Sequence, residues 1–78
     1  MSLGSPTKRS VTIAGHETSI SLEPLFWQTL ERAAQDEALP VNALIARIDV
    51  ERLEGPGQAP NLTSAIRQWL LLRELKRG

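Results

Sequence analysis

The sequence predicts a mainly α-helical fold opened by two short β-strands and completed by three helices, assembled as a homodimer. Three observations carry this. Two runs near the start alternate apolar and polar residues, three longer segments carry apolar residues at helical spacing between Pro and Gly breaks, and only 78 residues are available for a core. A chain of that length buries roughly 60 to 65% of its unfolded surface, so a solitary monomer is marginal and self-association is expected.

Residues 1–7 include Ser2, Gly4, Ser5 and Pro6 around one lone large apolar side chain after the initial Met, so a disordered tail is expected, with residues 8–78 as a single domain. From Arg9 the pattern changes to period-two alternation through Val11 and Ile13, and a second such run follows over Thr18-Ser19-Ile20-Ser21-Leu22. Strands are expected over about 9–14 and 17–22. The two runs do not share a parity, because Val11 and Ile13 are odd whereas Ile20 and Leu22 are even. The backbone must turn or bulge between them, and Gly15 is the place for it.

Pro24 suits the first position of a helix, where its missing N–H costs nothing. The first helix is expected over about 24–38, with Phe26, Trp27, Leu30, Ala33 and Ala34 inward and Gln28, Glu31, Arg32, Gln35 and Asp36 toward solvent. Leu39 and Pro40 break it. A second helix, about 41–53, carries Val41, Leu44, Ile45 and Ile48 on its buried stripe, and the Gly- and Pro-rich residues 55–60 form a loop. Asn61 is a good N-cap for a third helix over about 62–76, with Leu62, Ala65, Ile66, Trp69, Leu70 and Leu72 as a broad stripe. Leu71 and Leu75 fall on the far side of that wheel, one turn apart, which implies a second buried surface and a partner chain. Arg73, Lys76 and Arg77 suit the negative end of its dipole, and Gly78 can end it.

The absence of Cys excludes disulfides, thiol chemistry and thiolate metal sites and fits a reducing cytoplasm. Neither a membrane-length apolar run nor the apolar middle of a signal peptide is present, so a cytoplasmic protein without membrane association is expected. Nine Lys plus Arg balance nine Asp plus Glu, which removes the easiest argument for nucleic-acid binding.

His16 is the only His. One imidazole without a second ligand is a poor metal site, and its neighbours Glu17 and Thr18 alternate faces in a strand rather than converging on it, so a surface turn residue is the better reading. Asp36, Asp49, Glu51 and Glu54 are interleaved with Arg32, Arg47 and Arg52 as on solvated helix faces. The loop at residues 55–60 lacks the Gly-Lys-Ser/Thr of a phosphate loop, and no dinucleotide fingerprint is present. Neither an enzyme nor a cofactor is expected. Trp27 and Trp69 lie on apolar stripes and read as packing residues rather than base-stacking platforms. The strand before Pro24 differs: with Ile20 and Leu22 facing a core, Glu17, Ser19 and Ser21 form an outward row of short polar side chains.

The order strand, Pro-initiated helix, short break, helix, carried by Thr18-Ser19-Ile20-Ser21-Leu22-Glu23-Pro24 and Val41-Asn42-Ala43-Leu44-Ile45, resembles the ribbon-helix-helix family of the methionine and Arc repressors. With Lys8-Arg9-Ser10-Val11, Gly15-His16 and Asn61-Leu62-Thr63-Ser64-Ala65-Ile66-Arg67 included, it looks most like a group of short bacterial members of that family, over residues 8–72. The resemblance implies a ribbon-helix-helix fold with an additional C-terminal helix, in which one strand from each chain of an intertwined homodimer pairs into an antiparallel ribbon that enters the DNA major groove. Carried onto this sequence, Glu17, Ser19 and Ser21 would face bases, while Lys8, Arg9 and the backbone of Val41 and Asn42 would contact phosphates, with Arg47 or Arg67 as further candidates. Ile20, Leu22, Trp69, Leu70, Leu71 and Leu75 would form the dimer or partner interface. The resulting expectation is a transcriptional regulator that binds double-stranded DNA. The alternative is a protein-interaction module on the same fold that has lost DNA binding and docks a protein partner on the third helix, favoured by the neutral charge, by Glu17 on the ribbon and by the helix's two apolar faces.

Overall fold

A computed structural model describes residues 3–77. The described chain runs β1 (Thr7–Ile13), β2 (His16–Leu22), α1 (Pro24–Asp36), α2 (Val41–Glu54) and α3 (Leu62–Arg77). Met1, Ser2 and Gly78 lie outside the described residues, so the expectations for the first two residues of the tail and for the Gly78 cap do too; residues 3–6 have no regular structure, and β1 already begins at Thr7.

β1 and β2 pair antiparallel, from Thr7 opposite Leu22 to Ile13 opposite His16. The two residues between them, Ala14 and Gly15, have φ of 51° and 82°. Positive φ at both central residues is the requirement of the tight hairpin turn whose twist matches that of the flanking strands. This register also explains the parity change seen in the sequence, because each odd residue of β1 faces an even residue of β2. Val11, Ile20 and Leu22 thereby share the inner face and are buried. The resemblance implied a ribbon with one strand from each of two chains; here both strands come from one chain, because two residues suffice to reverse it.

Pro24 opens α1, where Glu23 O accepts from Phe26 N–H and Trp27 N–H at 2.9 and 3.1 Å. The helix ends two residues before the expected Ala38. Leu39 N–H reaches Ala34 O at 2.9 Å and Ala38 N–H reaches Gln35 O at 3.0 Å, with Ala38 at φ 56°. This is a Schellman closure with Ala in the left-handed position usually held by Gly, and Leu39 packs back on the core. Asn61 caps α3 as expected, its Oδ1 accepting from Ser64 N–H at 2.8 Å.

The core lies between the inner face of the hairpin and the three helices, with Trp27, Leu30, Leu44, Ile45, Ile66 and Leu70 among its largest buried side chains. Ile20, Leu22 and Leu70, expected at a dimer or partner interface, are at most 3% exposed and belong to the interior of a single chain. Of the other interface candidates, Trp69 is half-buried against the core, whereas Leu71 and Leu75 are exposed. Leu72, expected on the buried stripe, is exposed as well, because the face α3 turns inward is centred on Ala65, Ile66 and Leu70. Among the described residues no helix is long and apolar enough to cross a membrane.

Candidate nucleic-acid interface

Strand alternation gives the hairpin a second face that points away from the helices. On it stand Lys8, Ser10 and Thr12 from β1 and Glu17, Ser19 and Ser21 from β2, all exposed. Lys8 is opposite Ser21, Ser10 opposite Ser19 and Thr12 opposite Glu17. The sequence reading found Glu17, Ser19 and Ser21 but missed Ser10 and Thr12. Their period-two spacing was visible; that they lie directly across from the other three depends on the register.

Lys8 and Arg9, paired in sequence as phosphate contacts, point to opposite faces. Lys8 is on the outer face with no carboxylate within salt-bridge distance among the described residues. Arg9 lies on the inner face, 4.5 Å from the centre of the Trp27 ring, with its Nη1 donating to Glu31 Oε1 at 2.7 Å. The Trp27 indole N–H in turn donates to Thr7 O at 2.8 Å. A cation stacked on an indole and a hydrogen bond to the strand backbone fasten β1 to α1 from below, which holds the outer face in place without using any of its side chains.

Val41 and Asn42 form the first turn of α2. No side chain caps this end, Pro40 occupies the cap position, and the first backbone bond into the helix is Leu44 N–H to Pro40 O at 3.1 Å. The N–H groups of Val41 and Asn42 therefore have no acceptor within the helix, and they sit at the positive end of its dipole.

Arg47 and Arg67, the further phosphate candidates, are both paired. Arg47 donates to Glu37 at 2.8 Å, and Arg67 holds Glu23. His16 is exposed beside the turn, and among the described residues no group of three His, Cys, Asp or Glu side chains could hold a metal ion. The arrangement offers hydrogen-bonding side chains on an exposed two-stranded surface.

No curated protein and no solved structure matches the chain. Residues 6–73 match the family described as the ribbon-helix-helix domain, a span that takes in the hairpin, α1, α2 and most of α3. This chain is a member of the ribbon-helix-helix domain family.

Proposed function

We propose that this protein is a DNA-binding transcriptional regulator that lays the outer face of its hairpin in the major groove and acts as a cytoplasmic homodimer. The observation that carries the reading is the six-residue polar face, Lys8, Ser10, Thr12, Glu17, Ser19 and Ser21, on a ribbon whose other face is anchored to the core. The major groove, about 12 Å wide, admits a two-stranded ribbon. Family membership supports it, since ribbon-helix-helix domains are typically DNA-binding regulators.

Ser10, Thr12, Ser19 and Ser21 donate to or accept from base edges, and Glu17 can accept only, which suits the amino group of cytosine. Lys8 and the free N–H groups of Val41 and Asn42 take phosphates. Arg9 holds the ribbon rather than the DNA. Because each chain completes its own ribbon, one chain supplies a whole reading surface, and a dimer presents two.

The test is fluorescence anisotropy of mixed-sequence duplex DNA titrated with the protein at low and moderate salt. Binding that weakens steeply with salt supports the reading. No binding at low salt overturns it in favour of the second reading, a protein-interaction module, for which the exposed Leu71, Leu72 and Leu75 on α3 speak.

A further inference from the structure

Between β2, which ends at Leu22, and α1, which begins at Pro24, stands a single residue, Glu23. Its carbonyl oxygen accepts from Phe26 N–H at 2.9 Å and from Trp27 N–H at 3.1 Å, so its backbone joins the first turn of α1, while its side chain caps nothing. Glu23 is the joint on which the hairpin meets the helices. It has φ −59° and ψ 148°, the extended conformation imposed on a residue before proline, which still leaves ψ a range of about 40°. The backbone limits the tilt of the hairpin without choosing it. The apolar contacts of Val11, Ile20 and Leu22 on the inner face do not choose it either, because burial has no preferred direction.

What fixes the joint comes from α3. Arg67 Nη2 donates to both carboxylate oxygens of Glu23, at 2.8 and 3.1 Å, and Nε donates to Oε1 at 3.2 Å. Arg67 is itself held, because the neighbouring Ile66 is buried and the guanidinium lies 5.6 Å from the centre of the Phe26 ring. A planar guanidinium fork sets the orientation of a carboxylate as well as its distance. The two side chains are 37% and 34% exposed, and ion pairs so open to solvent contribute little to stability. Direction is what this pair supplies.

The outer face of the hairpin extends from that joint like a lever. Ser21 is two positions from Glu23, Ser19 four and Glu17 six, which puts the turn end of the face about 20 Å away at the rise of a strand. A tilt of roughly 10° moves that end by about 3.5 Å, one base-pair step, whereas a binding constellation must be held to about 0.5 Å.

We propose that Arg67 is a positioning residue for the DNA-reading hairpin: acting through Glu23, it lets α3 set the tilt at which Glu17, Ser19 and Ser21 are presented to base edges. This role rests on the proposed DNA binding and differs from a phosphate contact by Arg67 in its consequences. A phosphate contact released from Glu23 binds every duplex at least as well, and its deletion takes about 0.9 from the salt slope. A positioning residue acts only together with Glu23, and its deletion costs discrimination while leaving the slope alone.

Wild type, Arg67→Ala, Glu23→Ala and the double variant, each verified as folded by circular dichroism, are titrated at several salt concentrations into a mixed-sequence duplex and into a duplex that wild type selects from a random pool. Each single substitution should weaken binding to the selected duplex about tenfold, with the double variant no weaker than either. The salt slope on the mixed sequence should not change. Arg67→Lys, which keeps the charge without the fork and serves if Arg67→Ala does not fold, should lose discrimination likewise. Residual dipolar couplings give a readout independent of DNA: in the Arg67 variants the hairpin amides should reorient as a set relative to those of α1. A reduced slope for Arg67→Ala, additive losses, a Glu23→Ala that binds as well as wild type, or a wild type that binds all duplexes alike overturns the positioning role. If wild type binds no duplex at low salt, the DNA reading falls, and the couplings decide the joint alone: a hairpin that keeps its orientation overturns it, and one that reorients upholds it.

Discussion

Arg67 grips Glu23 with two nitrogens: Nη2 donates to Oε1 at 2.8 Å and to Oε2 at 3.1 Å, and Nε donates to Oε1 at 3.2 Å. The pair joins α3 to the residue between β2 and α1, 44 positions earlier in the chain. The same guanidinium lies 5.6 Å from the centre of the Phe26 ring. With Asp36 held by Arg73 and Arg77 at the other end, α3 is tied to α1 by ion pairs at both ends and by Ile66 and Leu70 between.

Those two ties make the docking of α3 sensitive to acid. The hydrogen bond from Arg67 holds the Glu23 carboxyl below its ordinary value of 4.5, and that from Arg73 holds Asp36 below 3.8. A depressed native pKa contributes stability that is fully present above the ordinary value and is lost as pH falls through the native one. α3 should therefore loosen below about pH 4.5, followed by Trp fluorescence, and Glu23→Gln should flatten that dependence. Both pairs are partly exposed, so added salt should reproduce part of the effect at neutral pH.

Ala38 closes α1 in a left-handed conformation that disfavours any residue with a Cβ. Ala38→Gly should stabilise the protein by about 0.5 to 1 kcal/mol, the gain in conformational fit being offset in part by the entropy of Gly. Calorimetry should show a rise in melting temperature of roughly 2 to 8 °C. Ala14→Asn, at φ 51° in the hairpin turn, should move in the same direction.

Trp27 and Trp69 are not equivalent. Trp27 is 1% exposed, bonded to Thr7 and covered by Arg9, whereas Trp69 is half-buried. Trp27→Ala should cost about 3 to 5 kcal/mol, a large part of a stability of about 5 to 15, and Trp69→Ala clearly less. Urea titration distinguishes them.

Lys8 and Arg9 should separate in DNA binding. Lys8→Ala should weaken all duplexes alike and reduce the salt slope by about 0.9. Arg9→Ala should leave the slope unchanged and lower hairpin stability through the lost Glu31 and Trp27 contacts, read by hydrogen exchange of β1.

On the outer face, Ser19→Ala with Ser21→Ala should lower the preference among sequences more than the overall affinity. Glu17→Gln should raise affinity for every duplex by removing a repelled carboxylate, while any preference for cytosine opposite it disappears. Anisotropy against a set of duplexes varied one base pair at a time measures both.

What the sequence determined by itself was local. Pro24, Pro40, Asn61 and the Gly- and Pro-rich residues 55–60 bound the helices because proline geometry, capping and glycine freedom act over a few residues, and the stripes of α1 and α2 read correctly because a 3.6-residue period reports one face. The outward row Glu17, Ser19 and Ser21 was legible for the same reason, with period two. Tertiary structure decided whom each face meets. Period two cannot say which strand lies alongside, so the closure of the ribbon within one chain and the addition of Ser10 and Thr12 to its outer face waited on the register. Nor could it show that Arg9 serves Trp27 and Glu31 while Lys8 points away. On α3 periodicity placed Ala65, Ile66 and Leu70 on the inward stripe and Leu71 and Leu75 on the far side, where they lie; the stripe was too broad to exclude Leu72, which packing against α1 and α2 left outside. Arg67 read as a candidate phosphate contact and Arg73 as a charge at the helix end because their partners, Glu23 and Asp36, lie 44 and 37 residues away, and only the folded chain brings such distant groups within hydrogen-bonding distance.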